Sequence, residues 1–335
     1  MAYRQGWHGR PRKGRIFAYM PYGAKRRQRL RLVCFGLLLT VMLVSAAQLA
    51  GYWRDAASAR RASEELRALY YAEAAATATQ QPAAPPAMTD APSAPLPVQE
   101  EAQTAAPSAA PGMLLIQSAY PNNPYRVISS RFKKLRQQNA DIIGWLTIDG
   151  MVDEAVVQRD NDYYLTRDYR GYHNVNGAIF LDEACDLSFR PATMTLYGHN
   201  MKTGAMFGRL HKYESLSYYR EHALITFDTL YEDGRYAVFA AGKISLNSWE
   251  RQYVPLSMLY SADPHRRAGA IDSLRAISAF VTAVDVQAED QLLLLITCVE
   301  DADERWLVAA RRVREGESEE TLAYQARQCS KNPAY

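Results

Sequence analysis

The 22 residues from Leu32 to Trp53 carry no charged side chain. At helical rise they cover about 30 Å, the thickness of a bilayer's hydrocarbon core. The chain therefore cannot be one soluble globule. Ten Lys or Arg precede the run, from Arg4 to Arg31, with no Asp or Glu among them. That asymmetry places the N-terminus in the cytoplasm and the remainder outside. The stretch "SAAQLA" resembles a signal-peptide cleavage site, but both the apolar run and the basic arm are long for one, so an uncleaved anchor is the reading. The expected organisation is a basic cytoplasmic arm over 1–31, a transmembrane anchor over 32–53, a helical stalk with an Ala/Pro-rich linker over 54–112, and an external folded domain over 113–335.

The formal charge of +3 hides a division. Residues 1–54 hold eleven basic side chains and no acidic one, which leaves the rest at −8. Basic arms also bind nucleic acid, yet one that abuts a span is explained by topology and anionic lipid, so no nucleic-acid partner is expected. Four cysteines, Cys34, Cys185, Cys298 and Cys329, are too few for a disulfide framework, although a single Cys185 to Cys329 bridge stays open. No CxxC or His/Cys cluster has metal-ligand spacing, and no glycine-rich phosphate loop occurs; neither a metal nor a cofactor is expected.

Beyond the span, Arg54 to Ala76 is rich in Ala, Glu, Arg and Leu and free of Pro and Gly, which predicts a helix standing off the membrane. The segment 77–112 then holds eight of the sixteen prolines and too little apolar surface to fold, so it reads as a semi-rigid spacer. From residue 113 onward, branched and aromatic residues return. An amphipathic helix in "RVISSRFKKLRQQNADIIGWLTI" leads into a strand, and short apolar strands follow at "EAVVQ", "GAIFLD", "TMTLYGH", "ALITFDTL", "RYAVFAAGKIS", "FVTAV", "LLLLITC" and "WLVAARRV". A helical segment at Pro255 to Ala279 interrupts them. The pattern predicts a mainly β fold: a closed barrel of about eight strands with an N-terminal helix and a helical insertion before the last strands.

The unbroken run ending at Cys298 reads as a strand buried on both faces, with Trp306 to Val313 as its neighbour across a short loop. A buried cysteine is by default small apolar filler. A nucleophilic one needs a partner that takes its proton or stabilises its thiolate. Of six histidines, His8 is cytoplasmic, and His173, His211, His222 and His265 lie in polar, loop-like or helical contexts. His199 differs. It ends the strand "TMTLYGH" and precedes a Gly-containing turn, so it emerges at a barrel rim as Cys298 does, with Arg305 opening the next strand.

These residues resemble a class B sortase. "LYGHNM" followed by "GAMFGRLHKY" is similar to that class's histidine motif, "ITC" to its cysteine motif and "ERWLVAARRV" to its arginine strand. "ADIIGWLTIDG", "VVQRDNDYYL" and "NGAIFLD" are similar in order and spacing, and the likeness runs from about Tyr125 to Val313. It implies a cysteine transpeptidase that cleaves a surface protein's sorting signal after threonine and joins the new carboxyl end to an amine of the cell wall or a pilin. Cys298 would be the nucleophile, His199 the general acid and then base, and Arg305 the group that holds the substrate carbonyl. Asn161, Leu165 and Thr297 would line the substrate groove. Ile296 and the six-residue gap between Cys298 and Arg305 depart from the usual pattern, and Glu300 and Asp301 are either calcium or substrate contacts or plain loop charges. Two other readings stay open: an external cysteine hydrolase of cell-wall peptides, which would not need Arg305, and a non-catalytic envelope-binding module, which would not need a reactive Cys298.

Overall fold

The computed structural model describes residues 22–80, 117–298 and 304–335; the basic arm before residue 22, the proline-rich segment from 81 and residues 299–303, with Glu300 and Asp301, lie outside them. The chain divides into two compact units, Met1–Arg54 and Asp55–Tyr335. Helix α1 (Tyr22–Gln80) begins in the first. There it is long and apolar enough to cross a membrane, and Leu32, Phe35, Leu38 and Val41 are exposed on its surface.

In the second unit α1 does not stand off as a stalk. Ala56, Ala62, Leu66 and Tyr70 recur at helical spacing and are buried. The Tyr70 ring stacks on Trp145, centroids 4.5 Å apart, and its hydroxyl donates to Asp228 Oδ2 at 2.5 Å. Arg67 pairs with Asp153 at 2.8 Å. A helix carrying an apolar stripe buries it wherever a partner surface exists, and here the barrel wall supplies one.

Among the described residues, eight strands close a barrel: β1 (Ile142–Ile148), β2 (Val152–Val157), β3 (Ile179–Leu181), β4 (Thr193–Tyr197), β5 (Leu224–Thr229), β6 (Arg235–Ser245), β7 (Leu292–Cys298) and β8 (Glu304–Arg312). Around the wall the order is β7-β8-β6-β5-β1-β2-β3-β4, with β4 closing on β7. The β2/β3 and β4/β7 pairs are parallel and the others antiparallel. Helix α2 (Ser130–Gln138) precedes the barrel and buries Phe132 and Leu135.

Strand β7 explains its own uninterrupted apolarity. Leu293 and Leu295 join the inner core, whereas Leu292, Leu294 and Ile296 join a second cluster with Ala270, Ile271 and Leu274. Those last three belong to α3 (Pro264–Ala276), in the insertion between β6 and β7. A strand covered on both sides has no solvent face to make polar. Helix α3 starts where Asp263 accepts from the His265 N–H, with Pro264 in the first turn.

One expected strand is not part of the barrel. Of "FVTAV", Phe280–Val281 pairs only with Ser330–Lys331 near the C-terminus. Phe280 is held instead by stacking on Tyr219 at 3.8 Å. Cys185 and Cys329 are both buried and free, so they do not pair. Burial pushes the Cys185 thiol up to about 11, which keeps it protonated and inert.

Candidate active site

The parallel pairing of β4 with β7 fixes the site, because it brings the ends of two consecutive-looking motifs to one rim. Tyr197 is the Cα partner of Ile296, and the Gly198 N–H extends the ladder to the Ile296 carbonyl at 3.3 Å. His199 follows directly on one strand and Cys298 ends the other. Antiparallel pairing with β8 then makes Arg305 the Cα partner of Cys298, and pairing with β6 sets Arg305 opposite Ile244. Three strand ends thus converge, as the strand-end reading required.

The turn beyond His199 is tightly built. The Phe207 N–H donates to the His199 carbonyl at 3.1 Å, and Asn200 bridges Met206. Gly198 fits closely there: a Cβ would meet the Phe207 ring at 2.9 Å, so a side chain would force that ring to shift.

The His199 ring is half-buried, and its Nε2 lies 2.6 Å from the Leu165 carbonyl oxygen. A carbonyl only accepts, so Nε2 carries the proton and Nδ1 is the nitrogen left for exchange. Leu165 ends a 3-10 turn (Tyr163–Leu165), entered where Asp160 accepts from the Asp162 and Tyr163 N–H groups. Asn161 accepts from the Glu183 N–H at 3.0 Å, which ties this turn to the end of β3.

A cleft of about 270 Å³ opens at this rim, lined by Asn161, Leu165, Phe180, Tyr197, Gly198, His199, Ile296, Thr297 and Arg305. Every candidate side chain that the structure describes borders it: His199, Arg305, Asn161, Leu165 and Thr297. Cys298 is placed by its backbone at the end of β7. Arg305 is half-buried, and its Nη1 donates to the Glu304 carbonyl at 2.8 Å, while Lys243 pairs with the Glu304 carboxylate at 3.4 Å.

Two aromatic cleft residues escaped the sequence reading. Tyr197 ends β4 two residues before His199, and both border the cleft. Its ring packs against Phe180, centroids 5.5 Å apart, and its hydroxyl donates to Asp182 Oδ2 at 2.9 Å. Burial, and secondarily the Asp182 charge, raise the Tyr197 hydroxyl above its ordinary range, so it stays a neutral donor; the Arg305 charge acts in the opposite direction. The i−2 spacing was the available signal for Tyr197. Phe180 had none, because only the β3/β4 register places it opposite Tyr197.

Other histidines have structural occupations. His222 stacks on Tyr218 at 3.9 Å and its Nδ1 faces the Tyr218 carbonyl at 2.9 Å. His173 forms an isolated bridge with Arg167.

A mixed eight-stranded barrel with histidine, cysteine and arginine at three adjacent strand ends is the architecture of a sortase, and a sortase domain model matches residues 146–313. The chain belongs to the sortase family of cysteine transpeptidases. Within that family it is a class B sortase: it is 27% identical over 178 residues to Sortase B of Listeria monocytogenes and 29% over 177 residues to Sortase B of Staphylococcus aureus, in each case covering 52% of this chain and 70% of the relative. The crystal structure of sortase B from B. anthracis in complex with AAEK1 shares the fold with a TM-score of 0.55 at 23% identity, covering 78% of this chain and 100% of that one.

Proposed function

We propose that the enzyme cleaves a C-terminal sorting signal of a surface protein after threonine, and passes the acyl group to an amine of the cell wall or of a pilin. The observation that carries this reading is the convergence of His199, Arg305 and the end of the Cys298 strand on one cleft with a largely apolar lining. The Cys298 thiolate attacks the threonine carbonyl. A C–S bond forms, and the carbonyl electrons move onto oxygen, where the Arg305 guanidinium stabilises them. Collapse breaks the C–N bond as His199, through Nδ1, gives its proton to the leaving amine. The thioester then accepts the incoming amine, His199 takes up that amine's proton, and the thiolate is released.

Asn161, Leu165 and Thr297 contact the signal in this reading. Thr297 is the Cα partner of Trp306 one step in from the rim, and Leu165 supplies an apolar wall. The apolar helix of the first unit serves as a single-pass anchor, and the basic residues before it keep the N-terminus cytoplasmic, which leaves the catalytic domain outside the cell.

The decisive experiment incubates the detergent-solubilised full chain with peptides containing a Pro-x-Thr segment and with hydroxylamine as surrogate amine. Threonyl hydroxamate formed by the wild type and absent from Cys298→Ala, His199→Ala and Arg305→Ala supports the reading. Hydrolysis that hydroxylamine does not divert points instead to a hydrolase. No product and no alkylation of Cys298 in the folded enzyme would remove catalysis by this residue altogether.

A further inference from the structure

We infer that the part of α1 from residue 55 to 76 is a positioning element for His199, acting through the loop 166–178. The inference rests on the catalytic role proposed for His199. Two bonds join helix to loop: the Tyr169 hydroxyl donates to the Ala62 carbonyl at 3.2 Å, and Asn174 Nδ2 donates to the Asp55 carbonyl at 3.4 Å. Both carbonyls belong to the helix backbone, which uses one lone pair for its own ladder and keeps a second for such donors.

The loop is stiff. Asn174 is buried, its N–H donates to the Thr166 carbonyl at 2.9 Å, and its Oδ1 accepts from the Asn176 N–H at 2.8 Å. Its carbonyl accepts from the Gly177 N–H at 3.0 Å, which closes a turn on Gly177.

Gly177 is the contact point with the site. Its φ is +59°, in the left-handed region, and a Cβ there would lie 2.7 Å from the Leu165 oxygen, 2.6 Å from that of Tyr164 and 3.2 Å from His199 Cδ2. The loop backbone therefore lies flush against the carbonyl that receives the His199 proton, and against the ring itself. Ala59 and Ser63 of the helix share a cavity of about 20 Å³ with Gly177 and Met206, so little space separates helix from loop. Displacing the helix frees Tyr169 and Asn174, lets the Gly177 turn relax and loosens the Leu165 carbonyl that fixes the imidazole tautomer.

The test uses the full chain in detergent, with ¹⁵N-labelled histidine and the His199 resonances assigned by comparison with His199→Ala. Three variants leave the reacting groups untouched: Gly177→Ala, Tyr169→Phe and Ala62→Glu. Misplacing a catalytic group by about 1 Å costs on the order of 100-fold. Gly177→Ala and Ala62→Glu should therefore lower kcat roughly 10- to 100-fold with KM within about twofold, and Tyr169→Phe about threefold to tenfold, the effect of one hydrogen bond. In all three the signal of a protonated, hydrogen-bonded Nε2 should weaken in parallel. A folded Ala62→Glu chain whose helix has become protease-sensitive, yet whose kcat and His199 signals match the wild type, would overturn the inference. Should Ala62→Glu fail to fold, unchanged kcat and ring signals in both other variants would overturn it equally. A wild-type chain that makes no hydroxamate defeats the proposed reaction, whereas the ring signals still report whether the helix holds His199.

Discussion

Cys298 and Arg305 are Cα partners on the last rung of the β7/β8 ladder, and only residues 299–303 and Glu304 intervene along the chain. The ladder thus delivers a guanidinium to the side of the cysteine's strand end. A planar fork of donors matches an oxyanion in a way that a point charge on a flexible stem does not. Arg305→Lys should therefore lose roughly 100- to 1,000-fold in kcat, with KM changed far less, and Arg305→Ala at least as much. Steady-state kinetics of hydroxamate formation checks this; a lysine variant within tenfold of wild type would rule out a geometric role for the guanidinium.

Tyr197 predicts a separable effect. Its ring forms a wall of the cleft, whereas its hydroxyl serves Asp182 behind it, whose other oxygen accepts from the Ala184 N–H at 2.9 Å. Tyr197→Phe should leave KM near wild type and cost about 1–3 kcal/mol of stability, the penalty for an acceptor that loses its donor. Tyr197→Ala should also raise KM, by roughly tenfold, since the wall itself is gone. Comparing urea midpoints with KM in the two variants separates the roles.

Why the strand ends at the barrel rim were legible and the docking of the helix was not has a physical explanation. Strand β7 had to be apolar throughout because Leu293 and Leu294 face two different cores, and a strand of that kind announces where it stops. His199 and Arg305 could be read as candidates because strand ends are visible locally in the sequence, at Gly198 and in the acidic run before Glu304. The fate of residues 54–76 is set by Trp145, Asp153 and Asp228, each at least 69 residues away in sequence. An Ala, Glu and Arg composition suits a solvated stalk and a docked helix equally well. Leu66 and Tyr70, four apart, were the local hint, and it was weak without a visible partner surface.

Acid should weaken the enzyme through Arg311. This side chain is fully buried at the end of β8 and is held by both oxygens of Glu317 at 2.5 Å each and by the Asp285 carbonyl at 2.7 Å. The hydrogen bonds from Arg311 hold the Glu317 carboxyl below its ordinary range. Its folded value thus lies below its unfolded one, so the stabilisation is fully present above the unfolded value and is lost as pH falls through the folded value. In Glu317→Gln the buried guanidinium keeps neutral partners only, which should cost about 3 kcal/mol at pH 7. The gap between wild type and variant in chemical denaturation should then shrink below about pH 4. A constant gap across that range would assign the loss to packing instead.

Tyr70 makes the same kind of claim for the helix seam. Its ring covers Trp145, and its hydroxyl is one of three donors to the buried Asp228 carboxylate, beside Arg131 at 3.2 Å and the Gly234 N–H at 3.0 Å. Burial raises the Asp228 carboxyl, so each donor lost makes its ionised form harder to keep. Tyr70→Phe removes the donor and retains the stack, for a cost of about 1–2 kcal/mol. Tyr70→Ala removes both and should cost about 3–5 kcal/mol. For a domain of this size that difference lowers Tm by several degrees, about 2–4 °C for each kcal/mol. A fragment beginning at residue 113 lacks the whole helix and should melt at least as low as Tyr70→Ala, whereas one beginning at residue 55 should match the full chain. Equal melting of the two fragments would mean that the barrel is indifferent to the helix, and that the seam orders α1 without stabilising what it rests on.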